Sequence, residues 1–378
     1  MTKKILISTA LSGFLKVFLE KDVLILQSMG YEVHFASNNT IDGAKYVPYF
    51  DRMGIVFHQV DFSSNKPFSS NTIRCFRQFS EILRREDFDA VHIHTPIPGV
   101  IGRLAAAKYR RKGMKVLYTT HGFYFHKGSD LRTKLIYKTV EYIMSGMTDA
   151  VITINSEDCQ AAKKMLCRKV FQIPGVGVDI KRFRDTVVDR KAYRESLGIP
   201  EDAFMILTVG ELSRRKNHRV VIEALGKCAL PGAVFAVCGE ALTDDDTKQL
   251  LIDLAAKNHV DLRLLGYRTD IPEICKCSDI GVLPSLREGL GLAGIEMLAS
   301  GMPVVASDLH GIVDYVRDGY NGFLADPLDS DDFADKIKKL FDSGTRARMA
   351  AVCSGSVEPF DIERSEECIK RIYKEILN

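Results

Sequence analysis

The sequence predicts an α/β protein made of two doubly wound, Rossmann-like parallel-sheet domains facing a central cleft. Three observations carry that prediction. The chain has 378 residues, which suits two domains better than one. Short apolar runs alternate with amphipathic stretches, as expected of parallel strands buried on both faces by helices. After residue 200 the same alternation starts again, so the plan occurs twice.

In the first half, strands are expected at 5–8, 32–36, 55–60, 89–93, 115–119, 150–154 and 170–174. Helices lie between them at 15–29, 72–85, 100–111 and 131–145. Gly30 stops the first helix, and Ser156 is expected to cap the start of another. Residues 178–200 read as a linker and a lead-in helix. Strands follow at 205–209, 234–237, 262–264, 280–283, 304–307 and 322–324, with helices at 219–225, 245–257, 271–275, 293–300, 312–316 and 331–341. The last segment, 362–377, is amphipathic and helical.

Composition narrows the classes. Hydrophobic residues make up 46% of the chain, ordinary globular usage, and no tract reads as disordered. Residues 1–178 hold 25 Lys and Arg against 15 Asp and Glu, or +10; the remainder holds 27 against 34, or −7. A basic first half suits an anionic surface. The basic residues cluster at Arg74, Arg77, Arg84 and Arg85 on one predicted helix, then at Lys108, Arg110, Arg111, Lys112 and Lys115, so peripheral binding to anionic membranes is expected of this half. No nucleic-acid partner is expected. The nine cysteines are scattered, and Cys275-Lys276-Cys277 is not a zinc spacing, so free thiols in a reducing cytoplasm are expected. Lys3-Lys4 before an apolar run imitates a signal peptide, but charged residues follow at once and the run reads as a first buried strand.

Ligands of doubly wound sheets bind beyond the carboxyl ends of the strands, and residues there are chemically loaded. The stretch 284–296 joins a predicted strand to a predicted helix through a glycine-rich turn. Such a turn presents free N–H groups and a positive dipole end to a phosphate. Glu288 in the loop and Glu296 on the helix can accept hydrogen bonds from sugar hydroxyls. A bland reading is a helix-capping loop. A second reading takes Gly289, Gly291 and Gly294 as a dinucleotide fingerprint, but Pro284, Arg287 and Glu288 intervene after the strand, and a carboxylate there would repel pyrophosphate. Gly13 follows the first strand. His92 and His94 alternate along another, and His121-Gly122 follows the next. Arg215 and Lys216 follow Gly210 and are placed to neutralise a leaving pyrophosphate. Asp244 to Asp246 imitate a metal-binding D-x-D but read better as a helix start, and no metal site is expected.

Taken together these motifs resemble one family. Glu288 and Glu296 in an E-x7-E spacing, preceded by Gly210, Arg215 and Lys216, are similar to those of retaining GT-B glycosyltransferases of family four. So are His92-Ile93-His94-Thr95-Pro96, Thr120-His121-Gly122, the run from Ile173 to Asp179, and Asp318-Gly319-Tyr320-Asn321-Gly322-Phe323. His121 to Phe125 and Ile154 to Asp158 look most like the exopolysaccharide and capsule branch. The resemblance implies domains of 1–178 and 179–361, with the terminal helix of about 362–378 crossing back to the first. It implies a donor diphosphate held by Arg215 and Lys216, sugar hydroxyls by Glu288, and ribose by Glu296. Backbone at Gly291, Leu292 and Ala293 would touch diphosphate and sugar, His121 the sugar, Gly13 the diphosphate, and Tyr267 and Arg268 the base. Glu211 stands where many members carry Arg, and His310-Gly311 replaces a more usual Gly-Gly.

The expected reaction is metal-independent, retaining transfer of a hexose from a UDP-sugar, without a cofactor, to a hydroxyl of a lipid-linked saccharide in surface polysaccharide synthesis. The enzyme would be cytoplasmic and peripheral on the inner membrane face. A sugar-nucleotide epimerase of the same fold, an NAD-dependent oxidoreductase and a non-catalytic sugar-binding protein are the alternatives.

Overall fold

The computed structural model describes residues 2–40, 44–62, 70–126, 129–241 and 246–377. The chain forms two compact units, Met1–Val176 with Glu363–Asn378, and Gly177–Ile362.

The first unit runs β1 (Lys3–Leu11), α1 (Glu20–Ser28), β2 (Tyr31–Asn38), α2 (Val47–Arg52), β3 (Val56–Gln59), α3 (Ser70–Arg85), β4 (Ala90–His94), α4 (Pro96–Arg110), β5 (Lys115–Thr119), α5 (Leu131–Ser145), β6 (Ala150–Thr153), α6 (Ser156–Ala162) and β7 (Lys169–Gln172). Its strands pair in parallel in the order β3-β2-β1-β4-β5-β6-β7. The central strands are buried along nearly their whole length, and Leu6, Val91, Ile93, Val116 and Tyr118 meet Phe79 of α3 and Ile101 of α4 in one core.

The second unit runs α7 (Ile180–Asp185), α8 (Arg190–Ser196), β8 (Phe204–Val209), α9 (His218–Cys228), β9 (Ala233–Cys238), α10 (Thr247–Lys257), β10 (Asp261–Gly266), α11 (Ile271–Cys277), β11 (Ile280–Leu283), α12 (Leu292–Ala299), β12 (Val304–Ser307), β13 (Gly322–Ala325), α13 (Ser330–Phe341) and α14 (Ser343–Ser356). Its parallel order is β10-β9-β8-β11-β12-β13. The order reverses between β1 and β4 in one sheet and between β8 and β11 in the other, and at such a switch point neighbouring loops diverge and leave a crevice.

The structure corrects several local expectations. Residues 178–200 hold the expected lead-in helix, α8, but no linker. They hold α7, which packs on α12, and α8, which packs on α11. Arg194 of α8 is buried. Its guanidinium donates to the carbonyls of Cys277, Glu201 and Ala203 and to Asp279 Oδ2 at 2.8–2.9 Å. A buried side chain that donates to four acceptors, two of them in buried bonds, fixes α8 to the sheet. Asn155, not Ser156, caps α6, accepting from Asp158 N at 2.8 Å. The helix expected at 312–316 is a single 3-10 turn, Ile312–Asp314. Helices α2 and α14 were not expected; α2 contains Pro48, and α14 carries serine and glycine at its ends, which hides its period. Asp244 and Asp245 lie outside the described residues, and Asp246 stands just before α10.

The last helix, α15 (Ile362–Leu377), packs on the first unit through a chain of hydrogen bonds. Tyr373 donates its hydroxyl proton to Asp22 Oδ1 at 2.8 Å, so it accepts from His92 Nδ1–H at 2.8 Å; His92 Nε2 then accepts from Thr119 Oγ1 at 2.8 Å. Ser365 adds a bond to the Gly175 carbonyl. Burial pushes the Asp22 carboxyl up to about 7, against the hydrogen bond from Tyr373, and holds His92 down at about 3, as a neutral ring.

Two outcomes follow. Arg194→Met should lower the stability of the second unit by about 1–3 kcal/mol, because it takes a donor from the buried carbonyls of Cys277 and Ala203, while Asp279 keeps its pair with Arg190; urea unfolding read by circular dichroism measures it. Asp22 has a folded pKa above its unfolded one, so it favours folding at low pH and costs stability as pH rises through about 7. Asp22→Asn, which keeps the acceptor for Tyr373, should melt higher than the parent at pH 8 and equal to it below about pH 4; a constant difference across pH would place the effect elsewhere.

Candidate active site

At the second switch point, β8 ends at Val209 and the chain passes Gly210 to reach Arg215 and Lys216; β11 ends at Leu283 and feeds the glycine loop. The two loops interlock. Leu286 N donates to the Arg215 carbonyl at 2.8 Å. Asn217, in the left-handed region at φ +55°, donates to the carbonyls of Pro284 and Pro327. These bonds bring Lys216 Nζ to 2.7 Å from Glu288 Oε1 and Arg215 Nη1 to 3.5 Å from the same oxygen. Ser285 Oγ donates to it as well, at 2.8 Å. Burial pushes the Glu288 carboxyl up, but Lys216, Arg215 and Ser285 outweigh it and hold the group below the usual glutamate range. All these contacts fall on Oε1.

Arg215 is held from the other side by Glu211, whose Oε1 accepts from Nη2 at 2.8 Å and from Ser213. Glu211, which the sequence left without a role, therefore fixes the direction of the guanidinium. A Cβ on Gly210 would press to 3.0 Å on Lys216 Cε, so the bare glycine leaves the lysine its path.

Gly291, at φ +79°, is the residue before α12 and has no side chain with which to cap it. The first-turn N–H groups of Leu292 and Ala293 are thus left for a ligand at the positive end of the helix. The turn rests on Tyr315, a buried residue that the sequence did not single out. Its hydroxyl donates to the Gly291 carbonyl at 2.8 Å, and a Cβ on Gly294 would stand 2.4 Å from that oxygen. Gly294 is spent on packing, and the dinucleotide reading of the three glycines is not favoured. Gly311 lies beneath the loop with φ +79°, where a Cβ would strike the Gly289 carbonyl at 2.3 Å; the substitution of His310 for glycine leaves this essential contact intact.

Glu296 lies one turn further along α12. Among the described residues its carboxylate makes no hydrogen bond or ion pair. Burial raises its pKa, only partly offset by the charge of Arg182 on α7. At the end of β10, Tyr267 is 76% exposed, while Arg268 is engaged by Asp270 at 2.9 Å and by the Tyr193 hydroxyl.

The first unit carries the remaining candidates at its own switch point. His94 Nδ1 lies 3.1 Å from His121 Nε2, and Phe14, next to Gly13, stands edge-on to the His121 ring at 4.9 Å. Burial keeps both imidazoles neutral, His94 well below the ordinary value and His121 at about 4. His94 Nε2 is buried and without a partner among the described residues. An orphaned N–H costs more than an orphaned lone pair, so the proton belongs on His94 Nδ1, which donates to His121 Nε2. His121 then presents Nδ1–H, a neutral donor. Thr95, directly after His94, takes φ +63° and ψ 152°, a strained conformation for a β-branched residue, and its Oγ1 accepts from Ala10 N. Gly13 packs beneath Tyr46, whose hydroxyl would lie 2.8 Å from a Cβ there. Among the described residues no three His, Cys, Asp or Glu gather as metal ligands.

Residues 25–181 match the Glycosyltransferase Family 4 model, and residues 189–352 the model of Glycosyl transferases group 1. The Bacillus subtilis (strain 168) protein named "Putative glycosyltransferase EpsD" is 36% identical over 90% of this chain and 88% of its own length. The UDP-Gal:alpha-D-GlcNAc-diphosphoundecaprenol alpha-1,3-galactosyltransferase of Escherichia coli is 32% identical over 78% of this chain and 77% of its own. Among solved structures, Anabaena Alr3699/HepE in complex with UDP and glucose superposes with a TM-score of 0.79 at 20% identity, covering 99% of this chain and 100% of that one. These likenesses identify the fold as GT-B, and the chain belongs to the glycosyltransferases that join a Family 4 region to a group 1 domain.

Proposed function

We propose that this glycosyltransferase moves a hexose from a UDP-sugar to a hydroxyl of a lipid-linked saccharide in surface polysaccharide synthesis, with retention at the anomeric carbon. The observation that carries the donor reading is the Arg215–Lys216–Glu288 cluster beside the uncapped start of α12. Two cations and open N–H groups suit a diphosphate, and Glu288 Oε2 is left to accept from a sugar hydroxyl. The names of the Escherichia coli relative and of the Anabaena complex, which specify UDP-galactose and UDP with glucose, support UDP as the nucleotide. The acceptor reading rests on the diphosphoundecaprenol-linked sugar in the same relative's name.

In this scheme the C1–O bond to the diphosphate breaks, leaving positive charge at the sugar and negative charge on the departing UDP. Arg215, Lys216 and the α12 N–H groups stabilise that charge without reorganising. The acceptor hydroxyl bonds to C1 from the face the diphosphate leaves, and its proton passes to the departing phosphate oxygen. No protein nucleophile and no metal take part. Gly291, Leu292 and Ala293 contact diphosphate and sugar through backbone, Glu296 accepts from the ribose, and Tyr267 and Arg268 border the base. Gly13 offers a close backbone approach, and His121, as a neutral donor through Nδ1, serves a sugar hydroxyl.

UDP release from a panel of UDP-sugars, with a lipid-linked acceptor and with EDTA present, tests the reaction. The expected result is transfer with retained configuration; turnover only with added Mg²⁺ or Mn²⁺, or epimerised donor without transfer, would overturn it. Lys216→Ala should lower kcat by about 10²–10³, the value of one transition-state contact of this kind, with the fold checked by melting. Glu296→Gln should weaken UDP binding by about 1.5–3 kcal/mol, the value of a hydrogen bond to a charged group, with kcat at saturating donor little changed. Calorimetry with UDP decides the ribose assignment: equal affinities would remove it.

A further inference from the structure

The hydroxyl that supports the Gly291 turn comes from outside the two loops of the candidate site. Tyr315 lies in the connection between β12 and β13 and is held by contacts of its own. Its N–H donates to the Ile312 carbonyl at 3.1 Å. Its carbonyl accepts from Asn321 Nδ2 at 2.8 Å, and the same amide group donates to Ser356 Oγ of α14 at 2.8 Å. Asn321 is fully buried, and its Oδ1 accepts from Arg317 N at 2.8 Å. The Tyr315 ring meets Phe360 edge-on at 5.8 Å. The position of the hydroxyl is therefore set by the surrounding fold and not by the loop it touches.

Two of the three loop glycines leave room for that hydroxyl. A Cβ on Gly294 would collide with it, and one on Gly291 would stand 3.1 Å away. The Gly291 carbonyl accepts twice, from Gly294 N–H at 2.9 Å and from Tyr315 at 2.8 Å. A carbonyl has no proton to give, so the phenol is the donor. Burial, together with the Glu288 and Glu296 carboxylates, raises Tyr315 well above the ordinary tyrosine value, so it keeps the proton it donates.

The Gly291 carbonyl and the Leu292 N–H belong to one planar trans peptide group and point to opposite sides of it. A bond that fixes the oxygen therefore also fixes the direction of the N–H. It draws electron density toward the oxygen and leaves the N–H more positive, as hydrogen bonds in a chain strengthen one another. We propose that Tyr315 is a positioning residue of the transferase site: its hydroxyl, acting through the Gly291 carbonyl, aims and strengthens the Leu292 N–H as a donor to the departing diphosphate. No proton leaves Tyr315, and it does not touch the substrate. The diphosphate carries more negative charge when it departs than when the donor is bound, so the effect falls mainly on turnover. This inference rests on the UDP-sugar donor proposed above.

Gly289-Leu290 and Gly291-Leu292 are the only Gly–Leu steps in the sequence. Full-length protein labelled with carbon-13 at glycine carbonyls and nitrogen-15 at leucine amides therefore gives two carbonyl–amide correlations by nuclear magnetic resonance, and Leu290→Ile removes one of them. Inorganic pyrophosphate, and UDP, should shift the Leu292 amide proton downfield in the parent, a result that needs no variant. Tyr315→Phe keeps the ring and leaves the Gly291 carbonyl its bond from Gly294. It should move the Gly291 carbonyl carbon upfield and shrink the pyrophosphate shift at Leu292. In turnover it should lower kcat about two- to tenfold, the worth of one hydrogen bond, with the donor KM changed by less than about twofold. A Leu292 amide that neither pyrophosphate nor UDP moves overturns the proposal. So does a Tyr315→Phe protein with parent kcat, or one whose loss lies wholly in KM or in melting temperature. Pyrophosphate moving Leu292 in a protein that turns over no UDP-sugar would leave the aimed N–H standing and remove the donor reading; turnover of a UDP-sugar with Leu292 unmoved would do the reverse.

Discussion

Everything chemical in this molecule depends on where each sheet reverses its strand order. Chain leaving β8 turns one way and chain leaving β11 turns the other, so the two loops part above the sheet, and polar groups can gather there without being buried in the apolar core. The same constraint acts between β1 and β4. It explains why the cations, the loop glutamate, the bare helix start and the paired histidines all sit at carboxyl ends of strands, although they come from distant parts of the sequence. The loops are then stiffened by bonds to each other: the Asn217 bridge, Leu286 to Arg215, and Tyr315 beneath Gly291. Rigid loops hold the two cations in one direction, and fixed charges of that kind need no reorganisation to act on an anion.

The two switch points solve the problem of buried polarity in opposite ways. In the second unit charge is kept and balanced. Lys216 and Glu288 are both largely buried, yet each compensates the other, so glutamate stays ionised despite its burial. In the first unit charge is removed. Three histidines within two adjacent strands and the loop beyond could not all be protonated, and burial drives them to the neutral form, in which one ring's donor meets the next ring's acceptor. A site made of neutral imidazoles orients hydroxyls without attracting phosphate; a site made of lysine and arginine does the converse.

Much of the architecture was legible because parallel strands buried on both faces must be apolar runs, and because glycine and proline mark the turns between them. The α/β class, the repetition of the plan and most strand positions could be read this way. The glycine-rich loop and the cations after β8 were legible as types of residue at the right kind of place. Their pairing was not: Lys216 and Glu288 are 72 residues apart, and His92 and Tyr373 are 281 apart, so only the folded topology brings them together. Tyr315 and Asp22 left no local signal, since an aromatic in a turn and an acid in a helix are both ordinary. Residues 178–200 misled because their apolar content is low; what anchors them is a buried arginine satisfied by carbonyls, and a charge pattern read along the sequence suggests solvent instead.

The position of α15 has a consequence for biosynthesis. The helix is made after the whole second unit, yet it belongs to the first, where Tyr373 supplies the hydroxyl between Asp22 and His92. A nascent chain can pair the seven strands of the first sheet long before that hydroxyl exists, but His92 and Asp22 must wait, exposed to water, while the entire second unit is synthesised. Domains tend to fold in the order in which they emerge; here the first begins early and can finish only once α15 has been made. Synthesis of α15 is therefore what completes the histidine network, and chains interrupted before its last turns would carry a formed sheet with an unfinished interior.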